Sequence, residues 1–207
     1  MDFKAIVEKL SLEEKVRLLT GEDFWTTHAL PSIKLRKMVV SDGPSGVRGE
    51  LWDERSPSLS LPSATALAST WDTSIMQHVG EVMAFEARRK NVDVVLGPTI
   101  NLHRSPLGGR HFEAYSEDAV LSGKLAAAFV KGIQGQGVGA CLKHFVANDA
   151  ETDRHTVNNI LDDQTLREVY ALPFEIAVRD SNPWTIMSAY NRVNGPKMAA
   201  SPLLNSI

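Results

Sequence analysis

The sequence contains very little cysteine: one residue, Cys141, among 207. A single cysteine excludes an intramolecular disulfide, and its place in the apolar run "GVGACL" predicts a buried thiol. No stretch approaches the roughly 18 consecutive apolar residues of a membrane-spanning helix. The N-terminal segment "MDFKAIVEKLSLEEKV" is charged and lacks the apolar centre of a signal peptide. We therefore expect a cytoplasmic protein with no membrane partner, with secretion by another route as the alternative.

Positive charge is not in surplus either. The chain carries 22 Lys and Arg residues against 25 Asp and Glu residues, which gives a formal net charge of −3. Because the basic residues are interspersed with acidic ones, we do not expect nucleic acid as a partner. The 43% of hydrophobic residues is typical of a globular chain with a sizeable core, and nothing in the composition indicates an oligomeric state.

Signatures of nucleotide, metal and triad sites are missing as well. The sequence has no Walker-type phosphate loop, no Gly-x-Gly-x-x-Gly, no His-Glu-x-x-His, no Cys-x-x-Cys and no nucleophile elbow. Four side chains of metal-ligand type lie close together but match no metal-site spacing: His144, Asp149, Asp153 and His155. We therefore expect neither a metal nor another cofactor.

The chain does contain an alternation of apolar runs and amphipathic segments. The apolar runs predict buried parallel strands at residues 38–41, 64–69, 92–96, 139–142 and 185–189. The amphipathic segments predict helices at 74–90, 119–134 and 164–180, the last capped by Asp163 and kinked at Pro173, and a capping box at Ser11–Glu14 begins an earlier helix. This alternation indicates one α/β unit, and by itself it leaves an open sheet and a barrel as alternatives.

Polar side chains follow most of the predicted strands at the point where each strand ends. Because binding groups collect at the carboxyl ends of parallel strands, these side chains are candidates for one site. A carboxylate accepts hydrogen bonds from two neighbouring hydroxyls while Lys, Arg and His donate, which suits a neutral polyhydroxylated ligand such as a sugar. The candidates are Asp42, Arg48, Arg110, Lys143, His144 and Tyr190.

Simpler interpretations exist for several of these residues. Arg104 and Arg110 could form ion pairs with Glu113, Glu117 or Asp118, and for Arg104 we favour that interpretation. The adjacent pair of "LKHF" would point to opposite faces of a regular strand, so both residues can line one site only if the strand ends there. The tyrosine of "SAYN" could be a packing residue with a satisfied hydroxyl.

Four ordered stretches resemble successive motifs of glycoside hydrolase family 3, in its β-glucosidase branch: "SDGPSGVRG", "GPTINLHRSPLGGRHFEAYSED", "GVGACLKHFVAND" and "PWTIMSAYNRVNG". The resemblance covers nearly the whole chain. It implies an α/β fold in which residues 1–207 form a partial N-terminal (β/α)8 barrel domain, with about five of the eight strands present. It also implies hydrolysis of terminal, non-reducing β-D-glucosyl residues with retention of configuration.

The resemblance further implies a role for each candidate side chain. Asp42 would bind the glucose hydroxyls farthest from the scissile bond, and Arg48 would line the same pocket. Arg110 would donate to the sugar and stabilise nearby negative charge. Lys143 and His144 would bind further ring hydroxyls. The small-molecule partner is therefore expected to be a β-glucoside or oligosaccharide.

A retaining glycosidase needs two carboxyl groups about 5 Å apart. The resemblance places the nucleophilic Asp in an "SDW"-type motif on the next strand and the acid/base Glu in a later α/β sandwich domain, so both are expected beyond Ile207. Tyr190 would lie beside the anomeric centre and orient the nucleophile. A polypeptide of residues 1–207 is accordingly expected to lack the catalytic carboxylates and that later domain, and to be inactive alone.

Two other functions stay open. The chain could be a non-catalytic sugar-binding or partner-binding remnant that keeps the pocket. It could also belong to the β-N-acetylhexosaminidase branch, which uses an Asp-x-His pair as its acid/base. The tripeptide Asp153-Arg154-His155 resembles that pair, although the Gly-His-Gly stretch of that branch is missing here.

Overall fold

A parallel four-stranded sheet forms the centre of the computed structural model, which describes residues 2–51 and 53–205. Each of its strands follows a helical crossover except the first, and the strand order is β1-β2-β3-β5. A separate parallel pair joins β4 to β6. The strands are β1 Val40–Ser41, β2 Val94–Val95, β3 Gly139–Phe145, β4 Asn158–Asn159, β5 Thr185–Ser188 and β6 Arg192–Val193.

Three helices cover the sheet. Helix α4 packs against α5, and α5 packs in turn against α7. Each of the first two begins at an aspartate whose carboxylate accepts backbone N–H groups of the first turn, Asp72 for α4 and Asp118 for α5. The helices are α1 Phe3–Glu8, α2 Leu12–Leu18, α3 Ala64–Ala68, α4 Thr73–Arg89, α5 Ala119–Gly135, α6 Asp163–Thr165 and α7 Leu172–Ser181.

Glycine allows the close approach of α4 and α5. A Cβ atom on Gly80 would lie 2.4 Å from the carbonyl oxygen of Phe129, and one on Gly132 would lie 2.1 Å from the carbonyl oxygen of Gln77. Neither position has room for a side chain, because the obstacle in each case is backbone of the other helix. The two helices therefore pack at a distance that only glycine permits.

The prediction of a strand at residues 64–69 is wrong, because this segment is helix α3. Ser63 caps it by accepting the N–H of Ala66, and alanine and leucine favour helix. Its buried residues Ala64, Leu67 and Ala68 have the i, i+3, i+4 spacing of a helix face. The sheet accordingly contains four of the five predicted strands.

The third predicted helix also differs from expectation. Asp162, and not Asp163, is the N-cap, because its carboxylate accepts the N–H of Thr165. The break at Pro173 is present: a π-helical turn at Leu166–Tyr170 precedes α7, and Pro173 lies in the first turn of α7. Since proline has no N–H, it fits where a helix begins and not in its interior.

Two local predictions are confirmed. The capping box formed by Ser11 and Glu14 begins α2, and Cys141 is buried in β3. All seven residues of β3 are buried, whereas Ile186 in β5 is 45% exposed. This difference arises because β3 lies between two strands and β5 pairs with β3 alone among the described residues. No helix in the described part of the chain has the length and apolar character to cross a membrane.

Candidate active site

The end of β1 and the end of β3 bring a carboxylate and an amine together. Asp42 follows β1 directly, and its Oδ1 lies 3.7 Å from Nζ of Lys143. The Lys143 side chain is 3% exposed, whereas that of Asp42 is 51% exposed. The lysine is thus anchored inside the protein, and the aspartate presents part of its carboxylate to solvent.

Beneath this pair lies a buried carboxylate that the sequence analysis treated only as an ion-pair partner. Glu113, at the end of a short 3₁₀ turn His111–Glu113, has its Oε2 3.9 Å from Nζ of Lys143. Its other oxygen forms an ion pair with the Arg110 guanidinium. Arg110 is therefore paired with Glu113, as its simpler interpretation predicted, and this pairing holds it beside Lys143.

His144 belongs to the same cluster as Lys143 although the two residues are adjacent in one strand. The peptide bond between them is cis, and the register of β3 against β5 shifts between Lys143 and Phe145. His144 Nε2 lies 3.3 Å from an Arg110 nitrogen. Contrary to the expectation that the strand must end at this pair, β3 continues to Phe145, and its shift of register accommodates both residues in one cluster.

Asn101 fixes the His144 ring. Its Nδ2 donates to the His144 carbonyl at 3.0 Å, and its Oδ1 accepts from the His144 backbone N–H at 2.9 Å and lies 3.0 Å from Nδ1. Because Oδ1 can only accept, Nδ1 carries the proton of a neutral ring. Nε2 is then an acceptor, and it faces the Arg110 guanidinium.

The segment after β3 extends the cluster towards β5. Glu151 accepts from Arg154 at 2.8 Å and lies 3.5 Å from Arg110. The guanidinium of Arg154 lies 5.2 Å from the ring centroid of Tyr190, and the His155 ring lies 4.6 Å from it. Tyr190, which is 52% exposed, is therefore joined to the cluster through Arg154 and Glu151.

Arg48 stabilises the bend that carries Asp42. Its backbone N–H donates to the Asp42 carbonyl at 3.0 Å and closes the bend that carries Asp42. Its guanidinium carbon lies 4.8 Å from the Trp25 ring centroid. The predicted ion pairing of Arg104 is wrong: the guanidinium carbon of Arg104 lies 5.8 Å from the Tyr170 ring centroid, and none of the ion pairs described includes it.

Burial sets the protonation of the central basic residues. It lowers the pKa of Lys143, while the carboxylates of Glu113 and Asp42 oppose that change. Burial above all, together with the positive charges of Lys143, Arg110 and Arg154, lowers the pKa of His144 to about 3. At neutral pH the imidazole is therefore uncharged.

The cavity enclosed beneath the charged groups is small. It measures about 10 Å³ and is bordered by Asn101, Arg110, His144 and Glu151 among others. A sugar ring does not fit there, so a ligand would bind on the solvent side, where Asp42 is exposed. In the ranges 2–51 and 53–205 no three side chains of metal-ligand type converge.

Three members of the cluster are not among the site residues that the sequence predicts. Glu151 and Asn101 are absent from that set, and Arg154 appears only in the tripeptide that resembles the acid/base pair of another branch. The signal was present in "NDAETDRH", where Glu151 and Arg154 have the i, i+3 spacing of a local ion pair. No comparable spacing marks Asn101, whose partner is 43 positions away.

A parallel sheet with helical crossovers and a cluster of charged side chains at the carboxyl ends of its strands is the arrangement of α/β domains whose functional groups lie at the strand ends. The Glycosyl hydrolase family 3 N terminal domain matches residues 12–206, and the chain belongs to this family. Its fold is an incomplete TIM-type barrel.

Curated relatives and solved structures agree on this placement. Beta-glucosidase B of Emericella nidulans is 47% identical over 192 residues, which are 93% of this chain and 23% of the relative. Thermostable beta-glucosidase B of Acetivibrio thermocellus is 45% identical, with 94% of this chain and 27% of the relative covered. The chain thus spans about a quarter of the length of the curated relatives it matches.

Two solved structures superpose closely on the chain. Beta-glucosidase 3B from Thermotoga neapolitana, in complex with alpha-D-glucose, matches with a TM-score of 0.90 and 43% identity, over 96% of this chain and 30% of that one. Beta-glucosidase from Kluyveromyces marxianus, in complex with glucose, matches with a TM-score of 0.92 and 44% identity, over 97% and 24% of the two chains.

Proposed function

We propose that this chain forms the glucose-binding part of a β-glucosidase that hydrolyses terminal, non-reducing β-D-glucosyl residues with retention. The observation that carries the proposal is the 3.7 Å contact between the half-exposed Asp42 carboxylate and the buried amine of Lys143. A carboxylate in this position can accept hydrogen bonds from two adjacent ring hydroxyls, and the amine beside it can donate to one of them.

The neighbouring groups would complete the recognition of the sugar. Arg110 is oriented by Glu113 and would donate to the ring. His144, whose Nδ1 is engaged by Asn101, would act through Nε2 as an acceptor, and a sugar hydroxyl would share that atom with Arg110. Tyr190 and Arg154 would border the ring beyond Glu151.

The chemical step would use carboxylates other than those of this cluster. Asp42 and Glu113 both lie within 4 Å of Lys143, and Glu113 is also paired with Arg110. Both carboxylates are thus engaged in ion pairs within the cluster. We infer that the nucleophilic Asp and the acid/base Glu come from chain beyond Ile207, as the family resemblance implies.

The binding part of the proposal is tested with Asp42→Ala in the full-length gene product. We expect kcat/KM for a nitrophenyl β-D-glucoside to fall, because sugar hydroxyls would be left unpaired. The fall should correspond to a loss of at least about 3 kcal/mol in transition-state stabilisation. The matched control is Asp163→Ala, since Asp163 is exposed in the first turn of α6. Equal effects of the two substitutions would contradict the assignment of the pocket.

The catalytic part is tested with a polypeptide confined to residues 1–207. We expect no hydrolysis of nitrophenyl β-D-glucoside above background, because the catalytic carboxylates would be absent. We also expect poor solubility, because the open edge of β5 and an apolar groove of about 500 Å³ lined by Phe145, Phe174 and Ile186 would face water. Turnover that Asp42→Asn abolishes would overturn this part.

Turnover of an N-acetylglucosaminide by the full-length protein would instead favour the hexosaminidase branch.

A further inference from the structure

Asp149 connects the two segments that carry the charged cluster. Its Oδ1 accepts the backbone N–H of Leu102 at 2.5 Å, across 47 positions of sequence. Leu102 follows β2 and is 1% exposed, so its N–H has no access to water as an alternative acceptor. An unsatisfied buried N–H is costly, and the Asp149 oxygen therefore holds the segment after β2 against the segment after β3.

The residue next to Leu102 is the one that orients His144. Asn101 contacts the backbone and the ring of His144 through three hydrogen-bonding contacts between 2.9 and 3.0 Å. Displacement of Leu102 would carry Asn101 with it, because the two are neighbours in the chain. The ring of His144 would then lose the acceptor that fixes its tautomer and its direction.

The segment that carries Asp149 also contacts Arg110, through Asn148 and Glu151. Asn148, the preceding residue, donates through Nδ2 to Glu151 at 2.7 Å, and Glu151 lies 3.5 Å from Arg110. Asp149 also separates the small cavity beneath the cluster from a second cavity of about 260 Å³ that Arg104 and Tyr170 line. Asp149 thus lines both the cavity of the cluster and this second cavity.

We propose that Asp149 is a positioning residue for the sugar site, which sets the orientation of the His144 imidazole through Leu102 and Asn101. This inference rests on the proposed function, because it gives His144 a role in sugar binding. The role requires an acceptor oxygen at the place of Oδ1 and does not require a negative charge. Asparagine has such an oxygen in the same position, whereas alanine has none.

The direct test is hydrogen–deuterium exchange of the full-length gene product, followed by mass spectrometry of a peptide that covers Leu102. We expect Asp149→Ala to accelerate exchange at the amides of this peptide by about tenfold, since the buried N–H loses its acceptor. Asp149→Asn should leave the exchange within about twofold of the wild type, because its amide oxygen still accepts. Unchanged exchange in Asp149→Ala would overturn the proposal.

The link to His144 is tested by a double-mutant cycle on the dissociation constant for glucose. Asp149→Ala should weaken glucose binding by about fivefold in the wild-type background and by less than about twofold in a His144→Asn background. A merely structural residue would weaken binding equally in both backgrounds, and that result would overturn the proposal. Where Asp149→Ala does not fold, Asp149→Asn decides: it must keep glucose affinity near that of the wild type, and a tenfold loss would overturn the proposal.

Failure of the proposed function gives a different result from failure of this inference. A folded wild-type protein that does not bind glucose contradicts the proposed function. The exchange experiment does not involve sugar, and it still shows whether Asp149 holds the segment that carries Asn101.

Discussion

Glu113 Oε2 lies 3.9 Å from Nζ of Lys143, and the two side chains are 6% and 3% exposed, so an ion pair is buried at the centre of the cluster. Asp42 approaches the same amine from the solvent side. Lys143 therefore keeps one carboxylate that belongs to the protein interior and a second that is open to a ligand. In the proposed function, Asp42 would bind hydroxyls while Glu113 continues to compensate the charge of the lysine.

Glu113→Gln should destabilise the protein strongly. The substitution removes the carboxylate that Lys143 and Arg110 share and leaves two cations close together in a buried place. Breaking a buried ion pair from one side costs about 3–5 kcal/mol, and we expect the free energy of unfolding in urea at pH 7 to fall by about 3 kcal/mol.

The control for Glu113→Gln is Glu175→Gln. Glu175 pairs with Arg179 on the surface, and both side chains are more than half exposed. An exposed pair contributes about 0–1 kcal/mol, so this variant should unfold almost like the wild type. Similar losses in the two variants would mean that burial of Glu113 does not raise the importance of its charge.

Gly132→Ala should be far more damaging than Gly135→Ala in the same helix. A Cβ on Gly132 meets the backbone of α4 at 2.1 Å, whereas a Cβ on Gly135 meets nothing within 4 Å. Overpacking against backbone costs about 1–3 kcal/mol or more, while alanine in open space at the end of α5 stabilises by up to about 1 kcal/mol. Thermal unfolding of the two variants measures the difference, and a tolerated Gly132→Ala would show that α4 and α5 can move apart.

The fold was largely predictable from the sequence. The wrong prediction of a strand at residues 64–69 has a physical explanation. Residues 64–69 are apolar, and an apolar run of six residues is typical of a buried strand and of a short buried helix alike. The distinguishing information was the serine at position 63, which can cap a helix, and the alanine content of the run. Those signals are local and were outweighed by the expectation of strand–helix alternation.

The site was predictable only in part. Asp42 follows β1 directly, and Lys143 and His144 lie near the end of β3. Strand ends of a parallel sheet meet at one edge whatever the loops do. Strand ends alone do not place Arg48, because a bend of six residues separates it from β1. Glu151 lies in a long loop whose path depends on tertiary contacts, and nothing in its own sequence position predicts that it reaches Arg110.

His144→Asn should remove part of the acid sensitivity of the protein. The pKa of His144 is lowered from 6.5 to about 3 in the folded state, so both states are uncharged above pH 6.5 and stability is complete there. As the pH falls below 6.5, the His144 imidazole is protonated in the unfolded state but not in the folded state. The free energy of unfolding therefore decreases. Between pH 7 and pH 5 this loss amounts to about 2 kcal/mol.

The measurement for His144→Asn is the free energy of unfolding at pH 7 and pH 5, compared with the wild type. Asparagine can still donate to Asn101, so the variant should fold, and its stability should depend less on pH over this interval. Curves for variant and wild type that run parallel between pH 7 and pH 5 would show that the imidazole is accessible to protons in the folded state.

Asp149→Asn should have the opposite pH signature. Burial raises the pKa of Asp149 to about 6, while the Leu102 N–H and the charge of Arg104 act against that rise. Between pH 3.8 and pH 6 the unfolded state has lost its proton and the folded state keeps it, so the wild type loses stability as the pH rises through this window. Asparagine does not titrate, and the advantage of the variant over the wild type should therefore be larger at pH 7 than at pH 4, by on the order of 2 kcal/mol. Urea unfolding at the two pH values measures this difference, and an equal advantage at both would mean that Asp149 is ionised in the fold as readily as in water. Such a result would leave its hydrogen bond to Leu102 intact, because the acceptor oxygen is present in either protonation state.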